Sequence, residues 1–306
     1  MGAVSVFVVT DSAADLTAEE LQREQIRMVP LTVEFGREAF FDQVDLSADA
    51  FWSRLAAERD LPRTAAPNPE AFMDVYTALL SRGAAGVVSV HLSGALSGTL
   101  RNAEAGARMV PGDIRIVDGR SASLGTGLLA IWAARAARAG LNGAEVAQGL
   151  EHLREHLRVY FSLATLEYLA RGGRIGQAAR LVGGVLDVKP ILTLSGGSVH
   201  PLRRVRGARQ VAAGLFSALA DSDLSADASV VALPTSPGVD PTLIEEVRDR
   251  VSRNLAVEEW RDGTIGPVIG VHAGPGAFGL VVLPLAGRDL EVWRHGRTNQ
   301  PQGGGA

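Results

Sequence analysis

The chain has 306 residues, of which 46% are hydrophobic and 21% are charged, and it contains no cysteine. Disulfides and cysteine-ligated metal sites are therefore excluded, and the length predicts two domains built on apolar cores. The net charge of −4 argues against nucleic acid as a partner, and no apolar run approaches the roughly 18 residues of a membrane span.

In the first half of the chain, apolar runs typical of strands alternate with helical patterns. The first run has no basic segment before it, so we expect no signal peptide and a cytoplasmic location. Strands are predicted at Val4–Thr10, Ile26–Phe35, Gly86–Leu92 and Ile114–Val117, and helices are predicted to start at Thr17, Ser47 and Asn68 and to span Asn142–Leu157. This alternation predicts one α/β domain over residues 1–157, with a doubly wound, mostly parallel sheet.

The pattern changes after residue 157. Short strands are predicted at Val159–Leu163, Ile191–Leu194, Ser198–Pro201, Ser229–Leu233, Val257–Trp260 and Phe278–Pro284. They are accompanied by a helical stretch at Thr165–Leu186 and a helix at Pro241–Asn254. We therefore predict a second α/β domain with a mixed sheet over residues 158–287. Residues 288–306 are polar and end in Gly-Gly-Gly-Ala, which predicts a disordered tail.

Common cofactor and metal motifs are missing or out of context. Two segments have the spacing of a dinucleotide-binding loop, but the one at Gly274 leads into a strand and the one at Gly125 starts too far beyond its strand. No phosphate-binding G-x-x-x-x-G-K-[ST] motif occurs. His152 and His156 lie one helical turn apart among glutamates, which indicates a solvated surface rather than a metal pair. We therefore expect neither a metal nor a cofactor.

Hydroxyl and carboxylate residues follow the predicted strands of the first domain. They are Asp11, Ser12, Ser93, Ser97, Asp118, Ser121 and Ser123. In open α/β sheets, ligands bind at the carboxyl ends of the strands, and donors beside helix N-termini suit an anionic head group. The alternative is that these residues are helix caps, each contributing about 1 kcal/mol. For Ser93 and Ser97, which bracket a short Gly-Ala-Leu loop, we favour the ligand.

Several longer motifs occur together and in a specific order. They are Thr10-Asp11-Ser12 with Asp15-Leu16, Thr64-x-x-Pro67-x-Pro69, Leu96-Ser97-Gly98-Thr99 with Asn102-Ala103, Val117-Asp118 with Ser121-Ala122-Ser123, Leu166-Glu167-Tyr168-Leu169-x-Arg171-Gly172-Gly173-Arg174-Ile175, Lys189-Pro190-Ile191-Leu192, Arg204-x-Arg206-Gly207, and Ile269-Gly270-Val271-His272-x-Gly274-Pro275-Gly276-Ala277. Over residues 4–285 the sequence resembles the DegV family of fatty-acid-binding proteins, which includes the FakB-type subunits of bacterial fatty acid kinase.

The resemblance implies two α/β domains with one long-chain fatty acid held between them. Its carboxylate would be capped by hydroxyl groups, and its chain would lie in an apolar tunnel. By motif position, Thr64, Ser93 and Ser97 would bind the carboxylate. His272 would lie close to the same head group, where an imidazole can donate a hydrogen bond to a carboxylate.

Two departures from the family pattern reduce the number of donors. Ala65-Ala66 stands where relatives often have a Ser-Gln pair, and Gly94 stands where many have a second serine. A buried carboxylate still needs several donors, so backbone N–H groups and water would have to contribute more.

The resemblance also implies partners: a long-chain fatty acid and the catalytic subunit of a fatty acid kinase, with transient contact with a membrane surface. Arg171 and Arg174 flank a Gly-Gly pair, and Arg204 and Arg206 belong to a second basic segment. We interpret them as contacts for an acidic kinase surface or for the acyl phosphate, because a guanidinium binds such groups in bidentate fashion. The alternative is that they are solvated charges at helix ends. On the docking interpretation, Arg174→Ala would leave fatty-acid binding intact.

The residues also leave two other functions open. One is an enzyme acting on an acyl or phosphoryl group, with Ser93 or Ser97 as the nucleophile and His272 as the base. The other is a regulatory module whose lipid is only structural. A carrier needs no nucleophile and base, and the sequence shows no clear pair of that kind. We therefore predict a non-catalytic lipid carrier.

Overall fold

The computed structural model describes residues 6–58, 60–181 and 188–298, which form α-helices, strands and three short 3-10 helices. The strands are β1 (Val6–Asp11), β2 (Ile26–Val29), β3 (Thr32–Phe35), β4 (Glu38–Phe41), β5 (Arg63–Ala65), β6 (Gly86–His91), β7 (Ile114–Asp118), β8 (Arg158–Ser162), β9 (Val188–Ser195), β10 (Ser198–Arg206), β11 (Ala228–Thr235), β12 (Val257–Thr264) and β13 (Phe278–Leu285). The α-helices are α1 (Ala18–Glu24), α2 (Ala48–Ala57), α3 (Pro69–Ser81), α4 (Thr99–Arg108), α5 (Leu124–Arg138), α6 (Gly143–His156), α7 (Glu167–Arg171), α8 (Val211–Ala220), α9 (Pro241–Ser252), α10 (Pro267–Ala273) and α11 (Gly287–Thr298). None of these helices is long and apolar enough to cross a membrane.

The first sheet has the strand order β2-β1-β6-β7, and all of its neighbouring strands run parallel. Its strands are short apolar runs, and β6 is buried at every residue, as expected for a sheet covered on both faces. Helices α4 and α5 follow β6 and β7 along the chain. The parallel sheet predicted for the first half is therefore confirmed.

The second sheet has the order β10-β9-β8-β13-β11-β12, in which only β11 and β12 pair in parallel. Strands β9 and β10 form a hairpin. Its turn consists of Gly196 and Gly197, whose φ angles of 56° and 80° are the left-handed values that such a two-residue turn requires. The mixed sheet predicted for the second half is confirmed.

A small antiparallel sheet of order β4-β3-β5 was not predicted, because the sequence suggested one continuous strand over Ile26–Phe35. That prediction is wrong: β2 pairs with β1, whereas β3 pairs with β4 and β5. Pro30 separates the two strands, since it has no N–H group to donate to a sheet. The N–H of Leu31 donates to Ser12 Oγ at 3.0 Å instead of to a strand.

Helix α5 has almost no solvent-exposed side. Thirteen of its 15 residues are buried. A single core cluster joins its side chains to residues of the parallel sheet, such as Val90, and to residues of the mixed sheet, such as Val281. A helix that is apolar on all sides must be covered on all sides, and α5 therefore lies between the two sheets.

The C-terminal segment differs from the prediction. Residues 288–298 lie in α11, so the prediction of a disordered tail over residues 288–306 is wrong for them, and residues 299–306 fall outside the described part of the chain. Trp293 is fully buried and lies 4.3 Å from the guanidinium of Arg135, and its indole N–H donates to Glu259 at 3.0 Å. Because the segment is mostly polar, its composition did not predict that Trp293 would be buried in the core.

The middle of the chain is only partly as predicted. The helical stretch expected at Thr165–Leu186 contains α7 and a 3-10 helix at Gly176–Leu181, and its last residues fall outside the described part. The boundary expected at residue 157 lies between α6 and β8. The division into domains 1–157 and 158–287 stays a prediction.

Candidate functional site

An apolar cavity lies where the strand ends of the parallel sheet face the mixed sheet. Of its 24 lining residues, only five carry polar side-chain groups, and these are Thr64, Ser97, Ser123, Arg174 and His272. The remaining lining is aliphatic or aromatic, or is glycine or proline. A long apolar space with few polar groups suits an amphiphile rather than a sugar or a nucleotide.

The mixed sheet forms one wall of the cavity. Val159, Phe161 and Leu163 alternate along β8 and its end, so all three side chains point to the same face. On β13, Gly279 pairs with Phe161 and Val281 pairs with Val159. From Leu163 to Val159 this wall extends about 13 Å, at the usual rise per strand residue.

The polar end of the cavity combines two segments that are far apart in sequence. Strand β5 carries Thr64 and α10 carries His272, and Thr64 Oγ1 lies 3.0 Å from His272 Nε2. Gly172 makes room for the imidazole, because a Cβ atom there would lie 2.2 Å from His272 Nδ1. Gly172, which follows Arg171, is therefore needed as a glycine so that the segment can pack against His272.

His272 is neutral at neutral pH in this site. Burial lowers the pKa of its imidazole to about 4, and the nearby positive charge of Arg174 adds to the shift. Its Nδ1 atom is buried and has no hydrogen-bond partner among the described residues. Nδ1 faces Gly172, and Nε2, which pairs with Thr64, is the imidazole nitrogen beside the hydroxyl at the polar end of the cavity.

Arg174 lies in the cavity wall rather than on the outer surface. Its Nε donates to the carbonyl of Leu96 at 2.9 Å and its Nη1 to the carbonyl of Gly172 at 2.6 Å. Among the described residues no carboxylate pairs with it. This guanidinium faces the same space as His272, which fits the acyl-phosphate contact better than a contact with an outer kinase surface, and its role toward a partner stays a prediction.

The two candidate serines have different environments. Ser97 lines the cavity, and its Oγ lies 2.9 Å from Thr99 Oγ1. Ser93 is fully buried outside the lining, where its Oγ accepts from the N–H of Ala95 at 3.2 Å. Gly197 packs directly on that hydroxyl. The structure thus brings together Thr64, Ser97 and His272, and it does not bring Ser93 to the same space.

The other arginines proposed from the sequence lie away from the cavity. Arg171 is exposed and forms an ion pair with Glu167 at 2.7 Å. Arg204 and Arg206 are exposed on β10, which is an edge strand of the mixed sheet. In the part of the chain that the structure describes, no group of three or more acidic or histidine side chains could hold a metal ion.

A buried hydrogen-bond network supports the loop that carries Ser97. The Asp11 carboxylate accepts from the backbone N–H of Leu92 at 3.0 Å, and the same oxygen lies 2.9 Å from His91 Nδ1. Ser89 Oγ lies 2.7 Å from His91 Nε2, which completes a Ser-His-Asp arrangement. All three side chains are 0% exposed and none lines the cavity, so the network holds the end of β6 in place. The sequence had indicated Asp11 only as a polar residue at a strand end.

Two more buried carboxyl groups lie behind another wall of the cavity. Asp15 accepts from the Ser123 hydroxyl and, at 3.1 Å, from the N–H of Gly266 at the start of α10. Burial raises the pKa of Asp15 well above its usual value. Burial also raises the pKa of Asp42 to about 7, and the charge of Asp11 contributes to the increase.

Comparison with known proteins identifies the family and the fold. The model of the DegV family, whose description reads "Uncharacterised protein, DegV family", matches residues 5–285. A DegV domain-containing protein of Streptomyces coelicolor is 39% identical over 280 residues, which cover 90% of this chain and 98% of that protein. A structure on fatty acid binding of a DegV family protein from Thermus thermophilus has a TM-score of 0.83 and 34% identity, and it covers 92% of this chain and 100% of that one. The structure of DegV, a fatty acid binding protein from Bacillus subtilis, has a TM-score of 0.82 and 27% identity over 92% of this chain and 99% of that one.

The buried carboxyl of Asp42 leads to a prediction about pH and stability. Its folded-state pKa of about 7 exceeds the ordinary value of 3.8, so its contribution is fully present below about pH 4 and is lost as the pH rises to about 7. Over that range, we expect the unfolding free energy of wild type to fall relative to Asp42→Asn by on the order of 4 kcal/mol. Urea unfolding of the lipid-free proteins at several pH values measures this difference. Asp74→Asn, at an exposed position on α3, is the control, and parallel curves for wild type and Asp42→Asn would contradict the prediction.

Proposed function

The chain belongs to the DegV family, and from that premise we propose that it binds one long-chain fatty acid in the apolar cavity. The observation that carries the proposal is the distribution of polar groups along this cavity. Thr64, Arg174 and His272 are gathered at one end together with Ser97, and the rest of the lining is almost entirely apolar. That distribution matches a molecule with one anionic head and a long apolar chain.

The energetics favour such a ligand. Each buried methylene contributes about 0.8 kcal/mol, so an acyl chain of roughly sixteen carbons offers on the order of 10 kcal/mol before the costs of association. The carboxylate is the costly part, because an unpaired charge in an apolar site is strongly disfavoured. A guanidinium that has no carboxylate partner in the described part of the chain, together with a hydroxyl and an imidazole, can offset that cost.

Mass spectrometry tests the proposal directly. We expect native spectra of the purified protein to show a mass increase that corresponds to one long-chain fatty acid, and we expect organic extracts to contain that acid. A protein of similar size purified in the same way controls for lipid carried over from the preparation. Protein without bound lipid that also fails to take up added fatty acid would refute the proposal.

The head-group assignment gives a second prediction. Thr64→Val removes the hydroxyl at nearly constant volume, and losing a donor to a charged group costs about 1.5–3 kcal/mol, or roughly ten- to hundredfold in affinity. Thr64→Ser keeps the hydroxyl and should bind almost as wild type. Fluorescent fatty-acid displacement measures both variants.

Ser93→Ala distinguishes the two serines in the same assay. Its hydroxyl is buried outside the cavity, so we expect an affinity within a few-fold of wild type, whereas Ser97→Ala should weaken binding. A loss for Ser93→Ala as large as that for Thr64→Val would restore the assignment made from the sequence.

We further propose that the protein is a carrier that presents the carboxylate to a partner kinase, which transfers a phosphoryl group to it. Arg174 supports this proposal, because a guanidinium at the head group can also bind the added phosphate charge. The hydrogen bond of His272 argues against an acyl-transfer enzyme: its Nε2 pairs with Thr64 and not with Ser93 or Ser97. A histidine whose pKa is lowered to about 4 is also a weak base. The cytoplasmic location and the membrane contact stay predictions.

The kinase proposal gives a third prediction, which separates Arg174 from Arg171. We expect Arg174→Ala to lower both fatty-acid affinity and phosphorylation, because this guanidinium lines the cavity. We expect Arg171→Ala to keep fatty-acid affinity and to lower phosphorylation, most strongly at low salt, where charge steering of an exposed arginine is greatest. The assays are lipid displacement and phosphoryl transfer with a fatty acid kinase catalytic subunit. If the fatty acid bound to Arg171→Ala is phosphorylated at the wild-type rate at all salt concentrations, Arg171 has no role in docking the kinase.

A further inference from the structure

The buried network around Asp11 ends on the loop that carries Ser97. Oδ2 of Asp11 accepts from the N–H of Leu92, and Oδ1 accepts from the N–H of Ala13 at 3.1 Å. His91 Nδ1 lies 2.9 Å from the same Oδ2. Asp11 therefore fixes two strand ends at once, that of β1 through Ala13 and that of β6 through Leu92.

The donors and acceptors of this network follow one direction. The Tyr76 hydroxyl donates to Ser89 Oγ at 2.9 Å, so the Ser89 hydroxyl donates in turn to His91 Nε2. The imidazole then carries its proton on Nδ1 and donates it to the Asp11 carboxylate, which only accepts. All four side chains are 0% exposed. The Ser-His-Asp arrangement thus has no hydroxyl to offer a substrate, and it holds the Asp11 carboxylate in place.

The loop after Leu92 is short and is built on Ser93. The N–H groups of Leu96 and Ser97 both donate to the carbonyl of Ser93, at 3.0 and 3.1 Å. Since Ser93 directly follows Leu92, the hydrogen bond from Leu92 to Asp11 sets where this turn begins. The turn then brings Leu96 and Ser97 into the lining of the apolar cavity.

The same loop holds the positive charge at the polar end of the cavity. Arg174 Nε donates to the carbonyl of Leu96 at 2.9 Å, and its Nη1 donates to the carbonyl of Gly172. One of the two carbonyls that hold the guanidinium thus belongs to the loop that Asp11 anchors. A displacement of Leu96 moves the guanidinium relative to the other polar groups of the site, whereas the apolar wall on β8 and β13 belongs to the mixed sheet and contains no residue of this loop.

We infer that Asp11 is a positioning residue for the head group, because it fixes the loop whose Leu96 carbonyl sets the place of the Arg174 guanidinium. This inference rests on the proposed function, in which that guanidinium meets the carboxylate of a fatty acid. It gives Asp11 an effect on the binding of the carboxylate and none on the binding of the acyl chain. A general structural role would instead affect every ligand of the cavity alike.

Asp11→Asn tests the inference, because it keeps the shape of the side chain and removes the charge that the N–H groups of Leu92, Ala13 and His91 share. We expect the affinity for hexadecanoic acid to fall about tenfold. The affinity for hexadecanol, which has the same chain and no carboxylate, should stay within about twofold of wild type. Fluorescent fatty-acid displacement measures both ligands.

Ser89→Ala is the matched control within the network. It removes the hydrogen bonds to Tyr76 and His91 and leaves the backbone contacts of Asp11. We expect it to lower the free energy of unfolding, because the Tyr76 hydroxyl loses its buried partner, and to keep the wild-type affinity for hexadecanoic acid. A loss of affinity as large as that of Asp11→Asn would mean that stability alone controls binding, and it would overturn the inference.

A double-mutant cycle with Arg174→Ala shows where Asp11 acts. If it acts through the guanidinium, Asp11→Asn lowers the affinity for hexadecanoic acid about tenfold in the wild-type background and less than about twofold in the Arg174→Ala background. Losses that multiply would mean that Asp11 acts elsewhere. Equal losses for hexadecanoic acid and hexadecanol would mean a general structural role. Either outcome overturns the inference.

A measurement on the wild-type protein covers the case in which Asp11→Asn does not fold. Nitrogen-15 spectra should show His91 with its proton on Nδ1, and hydrogen exchange at the Leu92 N–H should be as slow as in the core of β6. A proton on Nε2 or rapid exchange at Leu92 would contradict the anchor.

The outcomes separate this inference from the proposed function. If wild type binds hexadecanoic acid and Asp11→Asn binds it equally well, the inference alone is wrong. If wild type binds no fatty acid, the proposed function itself fails.

Discussion

A helix without a solvent-exposed side determines where the cavity forms. Because α5 is buried between the two sheets, the strand ends of the parallel sheet come to lie over one face of the mixed sheet. The cavity is therefore lined by Leu92, Leu96, Ser97 and Ala122-Ser123 on one side and by residues of β8 and β13 on the other. Ligand sites at the carboxyl ends of parallel strands are general in open α/β sheets. In this chain the second sheet closes that site with an apolar wall, and this closure suits it to a chain-like ligand.

The charges at the polar end suit an anion better than they suit acid–base chemistry. Arg174 brings a positive charge into a mostly apolar space, and the guanidinium is tied there by two backbone carbonyls. Burial and the same charge keep His272 neutral, so the imidazole pairs with the Thr64 hydroxyl without adding a second cation. A half-buried guanidinium without a carboxylate partner among the described residues is electrostatically suited to an anion, and two backbone carbonyls hold it in position.

The sequence predicted those features that depend on local patterns. Alternating strands and helices predicted the parallel sheet, and the motifs indicated Thr64 and His272, which the fold then places 3.0 Å apart. The choice between Ser93 and Ser97 depends on the backbone path of one loop, which spacing does not reveal. The break at Pro30 depends on which sheet offers β3 a partner, and α11 depends on the packing of Trp293 against Arg135 and its hydrogen bond to Glu259. The sequence did not predict these three features because each depends on contacts between residues that are far apart in the chain or on the path of a loop.

Helix α10 connects the two ionisable features of the site, which respond to pH in opposite directions. It follows Gly266, whose N–H donates to Asp15, and it carries His272 near its end. The lowered pKa of His272 stabilises the folded chain above about pH 6.5, and this contribution is lost as the pH falls toward 4, whereas the raised pKa values of Asp15 and of its neighbour Asp42 have the reverse effect. As the pH rises toward 7, the ionisation of Asp42 therefore lowers the stability of the folded chain. Any ligand that binds only the folded chain adds stability by mass action, and this addition offsets what the ionisation of Asp42 removes.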